Sequence, residues 1–116
     1  MIGLESRGQT LIARLAGELD LQVADELRGR LDEALEAHGA VHLVLNLEGV
    51  SFIDSACLGV ILGRYKRIAS NQGTLVFVAI PPRVRRVLEL SGLMRICREF
   101  PTEEAALTGT GQEVDE

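Results

Sequence analysis

The residues best suited to chemistry are an Asp-Ser pair that stands directly before a helical pattern. Asp54 and Ser55 follow an apolar, β-like run at 43–47 and a short turn. This order places a carboxylate and a hydroxyl at a helix N-terminus, where unpaired backbone N–H groups and the helix dipole favour negative charge. A phosphoryl group would be accommodated there, and a protein partner would sense its charge. The pattern therefore predicts a docking surface that phosphorylation can switch.

The other reactive side chains form no pattern typical of an enzyme. Cys57 and Cys97 have neither metal-ligand spacing nor a disulfide framework, so we expect small buried thiols and no metal site. His38 and His42 flank a turn, and we expect them to be solvated and not catalytic. The chain also lacks a glycine-rich phosphate loop, which argues against a nucleotide-dependent enzyme and predicts no cofactor.

Length and composition indicate which broad class of protein the chain belongs to. The chain has 116 residues, of which 47% are apolar and 25% charged, as in an ordinary single globular domain. Its net charge of −5 argues against direct nucleic-acid binding, since such domains carry an excess of Lys and Arg. No apolar run is long enough to span a bilayer and no signal-peptide pattern opens the chain, so we expect a cytoplasmic protein without membrane contact.

Strand-like and helical patterns alternate in the order ββαβαβαβα, which predicts an α/β fold with a largely parallel or mixed sheet. We expect strands at 1–6, 11–15, 41–47, 74–80 and 94–100, and helices at 20–38, 55–71, 82–92 and 102–107. The second helix is predicted to bury a stripe and to turn its cations towards solvent; the stripe is Leu58, Ile61, Leu62, Tyr65 and Ile68, and the cations are Arg64, Lys66 and Arg67. The Gly-rich, acidic residues 109–116 predict a disordered tail.

Three separated motifs give the chain a specific resemblance. They are Gly-Glu-Leu-Asp at 17–20, Phe-Ile-Asp-Ser at 52–55 leading into Leu-Gly-Val-Ile-Leu-Gly-Arg-Tyr-Lys at 58–66, and Leu-Ser-Gly-Leu at 90–93. In this order they resemble the STAS domain over residues 1–108, and more closely the bacterial anti-sigma factor antagonists of the sporulation sigma-F type. The resemblance implies a four- to five-stranded mixed sheet with helices packed mainly on one face.

The same resemblance implies a regulatory binding protein and not an enzyme. Antagonists of this family bind an anti-sigma factor that is also a serine kinase, and by this partner switching they release a sigma factor for transcription. The kinase inactivates the antagonist by phosphorylating a serine at the start of the second helix, and a serine phosphatase reverses the reaction. The runner-up is a STAS scaffold subunit of a larger signalling assembly, which would form large particles instead of a monomer or weak dimer.

The chain departs from the family pattern at the acceptor. The pattern Asp-Ser-Ser-Gly-Leu-Gly, with its second serine as acceptor, places Ala56 at that position and Cys57 at the following glycine. The implied protein lacks the usual phosphoacceptor and stays competent to bind. Ser55 is the alternative acceptor, although one residue along a helix means a rotation of about 100° and a rise of about 1.5 Å. A structural alternative is that Ser55 shares the capping of this helix with Asp54.

The resemblance and the predicted helix start together define a set of partner-binding candidates. They are Glu18, Asp20, Asp54, Ser55, Ala56, Cys57, Leu58 and Gly59. Glu18 and Asp20 are predicted to lie near the second helix, where they can pair with arginines of a partner. Asp20 is equally suited to capping the first helix, and the two roles are compatible.

The sequence leaves two interpretations open for each of three features. Gly59 and Gly63 share one helical face, which lets either a partner or the chain's own sheet approach closely. The cluster of Arg83, Arg85 and Arg86 is either a solvated helix face or a contact for an acidic partner. Cys57 near a helix start is either a small residue in a packed position or a reactive thiol in a redox switch.

Overall fold

The computed structural model describes residues 1–109. The predicted tail lies outside these residues except for Gly109, which belongs to the last helix. The strands are β1 (Ile2–Arg7), β2 (Thr10–Leu19), β3 (His42–Ile53), β4 (Leu75–Val78) and β5 (Arg98–Phe100). The helices are α1 (Leu21–Ala37), α2 (Ser55–Ser70), α3 (Pro82–Ser91), α4 (Leu93–Ile96) and α5 (Glu103–Gly109).

The five strands form one mixed sheet in the order β1-β2-β3-β4-β5. β1 pairs with β2 in antiparallel orientation, and the other neighbours are parallel. This confirms the expected α/β class and the mixed sheet. Because β2, β3 and β4 are parallel, their carboxyl ends meet at one edge, and α1, α2 and α3 begin just beyond that edge.

The helices cover the two faces of the sheet unequally, as expected. The main core lies between the sheet and helices α1 to α4, and its fully buried side chains include Leu27, Leu45, Ile61 and Phe77. Of the helices in residues 1–109, the opposite face carries only α5, whose Ala106 and Leu107 pack on four strand residues, namely Ile12, Val44, Val76 and Val78. Within residues 1–109 none of the helices has the length and apolar character needed to cross a membrane.

The face that α2 buries differs from the predicted stripe. Cys57, Val60, Ile61 and Ile68 are buried, whereas Leu62 is 38% exposed. α2 packs both on the sheet and on α1, so the buried face turns away from Leu62. The expectation that Arg64 faces solvent is also wrong, because its side chain is only 14% exposed and its Nε lies 3.1 Å from Asp32 Oδ1 on α1.

Two further differences concern element ends. Part of the predicted last strand is the short helix α4, because Gly92 adopts a left-handed conformation (φ 88°) that ends α3 and starts a new turn. β3 continues six residues beyond its predicted end at 47. This extension needs Gly49, since a Cβ atom there would lie 2.9 Å from the Cβ of Ala16 on β2.

A charged network fastens α5 to the open face of the sheet. The Arg14 side chain donates to Glu103 and Glu5 with N···O distances of 2.7 Å, and Asn46 Nδ2 donates to Glu103 Oε2 at 2.8 Å. The Glu103 carboxyl is partly buried, and the Arg14 hydrogen bond, followed by the Asn46 hydrogen bond, holds its pKa below the ordinary value of 4.5. Ionised Glu103 is therefore favoured in the folded state.

This network predicts a pH-dependent contribution to stability. Above pH 4.5 the contribution is fully present, and it is lost as the pH falls towards the lower folded pKa, because the unfolded chain then binds the proton first. We expect Glu103→Gln to lower the free energy of unfolding at pH 7 by about 1 kcal/mol in urea titrations. The difference from wild type should shrink at pH about 3. The matched control Glu104→Gln, at an exposed neighbouring position, should stay near wild type, and an equal loss there would contradict the assignment.

Candidate functional site

Two helices begin side by side at the carboxyl edge of the sheet. Leu19 of β2 is in register with Ile53 of β3, and the backbone N–H of Asp54 donates to the Leu19 carbonyl at 3.1 Å. The residues that follow these strand ends, Asp20 and Asp54, are therefore neighbours. The structure thus brings the start of α1 and the start of α2 into one surface.

Each of these helices is capped by its own aspartate. Asp20 Oδ1 accepts the backbone N–H of Gln22 at 3.1 Å. Asp54 Oδ1 accepts from Ala56 at 3.0 Å and from Cys57 at 3.2 Å. These bonds satisfy backbone donors that the first turn of a helix leaves unpaired. The predicted cap at Asp20 is confirmed, and the α2 cap is Asp54 alone, without a share for Ser55.

The two small residues after Asp54 have different surroundings. Ser55 is the first residue of α2 and its side chain is exposed. Ala56 is only partly exposed, because its methyl group packs against the main core. A hydroxyl at position 55 thus faces solvent, whereas one at position 56 would be directed partly into packed side chains. The accessible hydroxyl of this helix start is that of Ser55.

Cys57 lies beneath the surface and not on it. Its side chain is fully buried, and its Sγ donates to the Asp20 carbonyl at 3.4 Å. Burial, reinforced by the nearby carboxylates of Asp54 and Asp20, raises the pKa of the thiol to about 11. The predicted partner contact at Cys57 is therefore corrected: the buried side chain supports the surface from beneath and does not touch a partner. The interpretation as a reactive thiol also loses its physical basis, because the raised pKa leaves little thiolate.

Glu18 reaches the same edge through an irregularity in β2. Gly17 adopts a left-handed conformation (φ 88°), and the register with β3 shifts between Gly17 and Glu18. Glu18 is exposed and is registered with Phe52 on β3. Because β1 is antiparallel to β2, the chain start also lies here, with the Met1 ammonium donating to the Ala16 carbonyl at 2.9 Å.

Sequence reasoning missed several exposed apolar residues around this edge. Leu21, next to the Asp20 cap, is 72% exposed, and Phe52 is 47% exposed. An apolar residue in the first turn of an otherwise amphipathic helix was the available signal for Leu21. The group of exposed and partly exposed residues at the two helix starts is called the docking surface below; it comprises Glu18, Asp20, Leu21, Phe52, Asp54 and Ser55.

An apolar groove adjoins the docking surface along α2. It lies between α2 and the turn from α3 to α4, encloses about 170 Å³ and is called the α2 groove; its lining includes Leu58, Gly59, Leu62, Leu93 and Ile96. A Cβ atom at Gly59 or Gly63 would contact nothing outside its own helix. Close packing of these glycines on the chain's own sheet is therefore excluded, and their open face remains available to a partner.

The chain belongs to the STAS domain family, whose model matches residues 1–106. It is 42% identical over 107 residues to the anti-sigma F factor antagonist of Paenibacillus polymyxa, covering 92% of each chain. Its fold is similar to that of the anti-sigma factor antagonist SpoIIAA in its unphosphorylated form, with a TM-score of 0.83 and 29% identity over 96% of this chain and 97% of that one. The Bacillus cell fate determinant SpoIIAA in the phosphorylated form also matches, with a TM-score of 0.73 and 29% identity over 91% and 96% of the two chains.

The Asp54 cap predicts a selective stability effect at the docking surface. Asp54→Ala removes both side-chain hydrogen bonds at the start of α2, so the free energy of unfolding should fall by about 1 kcal/mol. Asp54→Asn keeps an acceptor oxygen and should retain most of the stability. Urea unfolding of both variants tests the cap. Equal stability of Asp54→Ala and wild type would contradict it.

Because both thiols are buried, we predict that they react slowly with thiol reagents in the folded protein. Cys57 and Cys97 are both buried, and burial raises the pKa of each to about 11. At pH 8 we expect an aromatic disulfide reagent to titrate the folded protein at least about a hundredfold more slowly than the chain in denaturant, because so little thiolate is present and accessible. Rapid release of one equivalent from the native protein would instead restore the redox interpretation; Cys57→Ser and Cys97→Ser identify the thiol concerned.

Proposed function

We propose that this chain is an anti-sigma factor antagonist that binds an anti-sigma factor with serine kinase activity and thereby releases a sigma factor. Support comes from its STAS family membership and from the 42% identical relative named for that activity. The structural observation that carries the proposal is the docking surface, where two helices capped by aspartates begin side by side and the small hydroxyl of Ser55 is exposed directly after the Asp54 cap. In this role the chain acts by binding, and we propose no catalytic residue and no cofactor.

The electrostatics of the docking surface explain how such binding can be switched. The unmodified Ser55 is neutral and directly follows Asp54, and the acidic residues Glu18 and Asp20 lie at the end of the neighbouring strand β2. A phosphoryl group adds roughly −1.5 to −2 charges at neutral pH. In a desolvated interface this charge adjoins the existing carboxylates, so it opposes docking by repulsion and by the loss of its hydration. The unphosphorylated chain is the form that binds.

Ser55 is the residue that we propose as the phosphoacceptor. It is exposed at the helix start, whereas position 56 is partly buried against the core. This geometry favours Ser55 over the interpretation in which the acceptor is lost because Ala56 stands in its place. In that other interpretation the chain binds permanently. The partner contacts would come from the docking surface with Ala56, Leu58 and Gly59 beside it, and a serine phosphatase would restore the binding form.

The proposal is tested with the anti-sigma F factor of Paenibacillus polymyxa, the factor for which the 42% identical relative is named. We expect the purified chain, as a monomer or weak dimer in sedimentation, to bind this factor with adenine nucleotide and Mg²⁺ present. Binding should displace the sigma factor. Incubation with ATP should add about 80 Da, the mass of one phosphoryl group, to the peptide that contains Ser55.

Paired variants separate the two interpretations of the acceptor. Ser55→Ala should abolish the mass gain and keep binding, whereas Ser55→Asp should weaken binding at least about tenfold. Ala56→Ser restores a serine at the acceptor position of the family pattern; a mass gain that still maps to Ser55 supports the proposed acceptor, whereas a gain that moves to position 56 supports the interpretation in which wild type lacks one. Binding by wild type without any mass gain would support permanent competence. No binding and no displacement of the sigma factor would remove the proposed function itself.

A further inference from the structure

The cations of this acidic chain are distributed unevenly. All twelve Lys and Arg residues lie within residues 1–109, and seven of them pair with carboxylates: Arg7, Arg14, Arg28, Arg30, Arg64, Arg67 and Arg85. In that described part of the chain the other five form no ion pair: Lys66, Arg83, Arg86, Arg95 and Arg98. Arg98 lies over the Phe100 ring at 4.9 Å. The remaining four belong to α2, α3 and α4, the helices that surround the α2 groove.

The α2 groove joins these cations to exposed apolar side chains. Leu62 is 38% exposed and Ile96 is 44% exposed on its two walls. Lys66 follows Leu62 by four residues on α2 and therefore lies one turn along the same face. Arg95 directly precedes Ile96 in α4 and is exposed. The apolar depression thus has an unpaired, exposed cation on each of the two helices, α2 and α4, that supply its walls.

The size of the groove favours a side chain over a free small molecule. Its volume of about 170 Å³ is below the range of about 300–1,000 Å³ that is usual for small-molecule pockets. Gly59 lets a partner's backbone approach, because its exposed face lacks a Cβ atom and contacts no other element. These features suit a helix that lays an apolar side chain into the groove.

We infer that the α2 groove binds an acidic amphipathic helix of the anti-sigma factor. An apolar side chain of that helix rests on Leu62 and Ile96, and its carboxylates face Lys66 and Arg95. This inference rests on the proposed function and names the chemistry of the partner. The docking surface at the start of α2 carries the carboxylates Glu18, Asp20 and Asp54, whereas Lys66 lies about three turns further along the same helix, so the partner needs opposite charges at these two places. Such a pattern fixes the orientation in which the partner binds.

Charge reversal and groove substitution test this chemistry separately. Against the anti-sigma F factor of Paenibacillus polymyxa, Lys66→Glu with Arg95→Glu should lower affinity about tenfold at low salt, and the loss should shrink as salt rises. Arg28→Glu with Arg98→Glu changes the net charge equally and should bind like wild type. Leu62→Asp should lose at least about tenfold at every salt concentration, whereas Leu62→Met should bind normally. Urea unfolding identifies any variant that is simply destabilised.

Each outcome decides the inference. The expected pattern of losses supports it. Wild-type binding with unchanged affinity in both the Lys66/Arg95 and the Leu62→Asp variants overturns the inference and leaves the proposed function standing. A loss confined to Leu62→Asp overturns the acidic chemistry of the partner helix. Failure of wild type to bind removes the proposed function and the inference together.

Discussion

The parallel register of β2 and β3 is the constraint on which the whole surface depends. Pairing continues to the last residue of each strand, where Leu19 meets Ile53, and the Asp54 N–H bond to the Leu19 carbonyl closes the ladder. Two helix starts therefore emerge side by side. A slip of one residue would exchange the faces of β3, expose its buried side chains and separate the two caps. The register of the sheet thus determines the relative position of Asp20 and Asp54, whichever other side chains form the surface.

The first turns of α1 and α2 combine opposing electrostatic effects. Their unpaired backbone N–H groups favour an anion, but Asp20 and Asp54 already supply carboxylates to those groups. A neutral residue at the exposed position 55 is consequently compatible with the local field. A phosphoryl dianion added there would share the backbone N–H donors of this turn with the Asp54 carboxylate. Burial, reinforced by these carboxylates, raises the pKa of the Cys57 thiol beneath them, which keeps this part of the core neutral.

Local signals in the sequence predicted the elements other than α4, the sheet class and the aspartates at the starts of α1 and α2. These features depend on residues close together in the chain, such as Asp20 followed by an apolar period of four. The orientation of α2 was not predictable in the same way, because its apolar residues occupy several sides and the contact with α1 selects which are buried. Exposure of Leu21, Phe52 and Ile96 likewise depends on tertiary neighbours. Cys57 shows this limit of sequence reasoning most clearly. Its position near a helix start suggested a lowered thiol pKa, whereas burial in the folded chain raises that pKa.

The antiparallel pairing of β1 has a practical consequence for handling the protein. It brings Met1, which is 89% exposed, to the edge where Glu18 and the two helix starts lie. An affinity tag or fluorescent fusion joined ahead of Met1 would project beside that edge and crowd an incoming macromolecule. A label joined behind α5 would begin on the opposite face of the sheet. Immobilisation through the C-terminal side is therefore the arrangement that leaves the docking surface unobstructed.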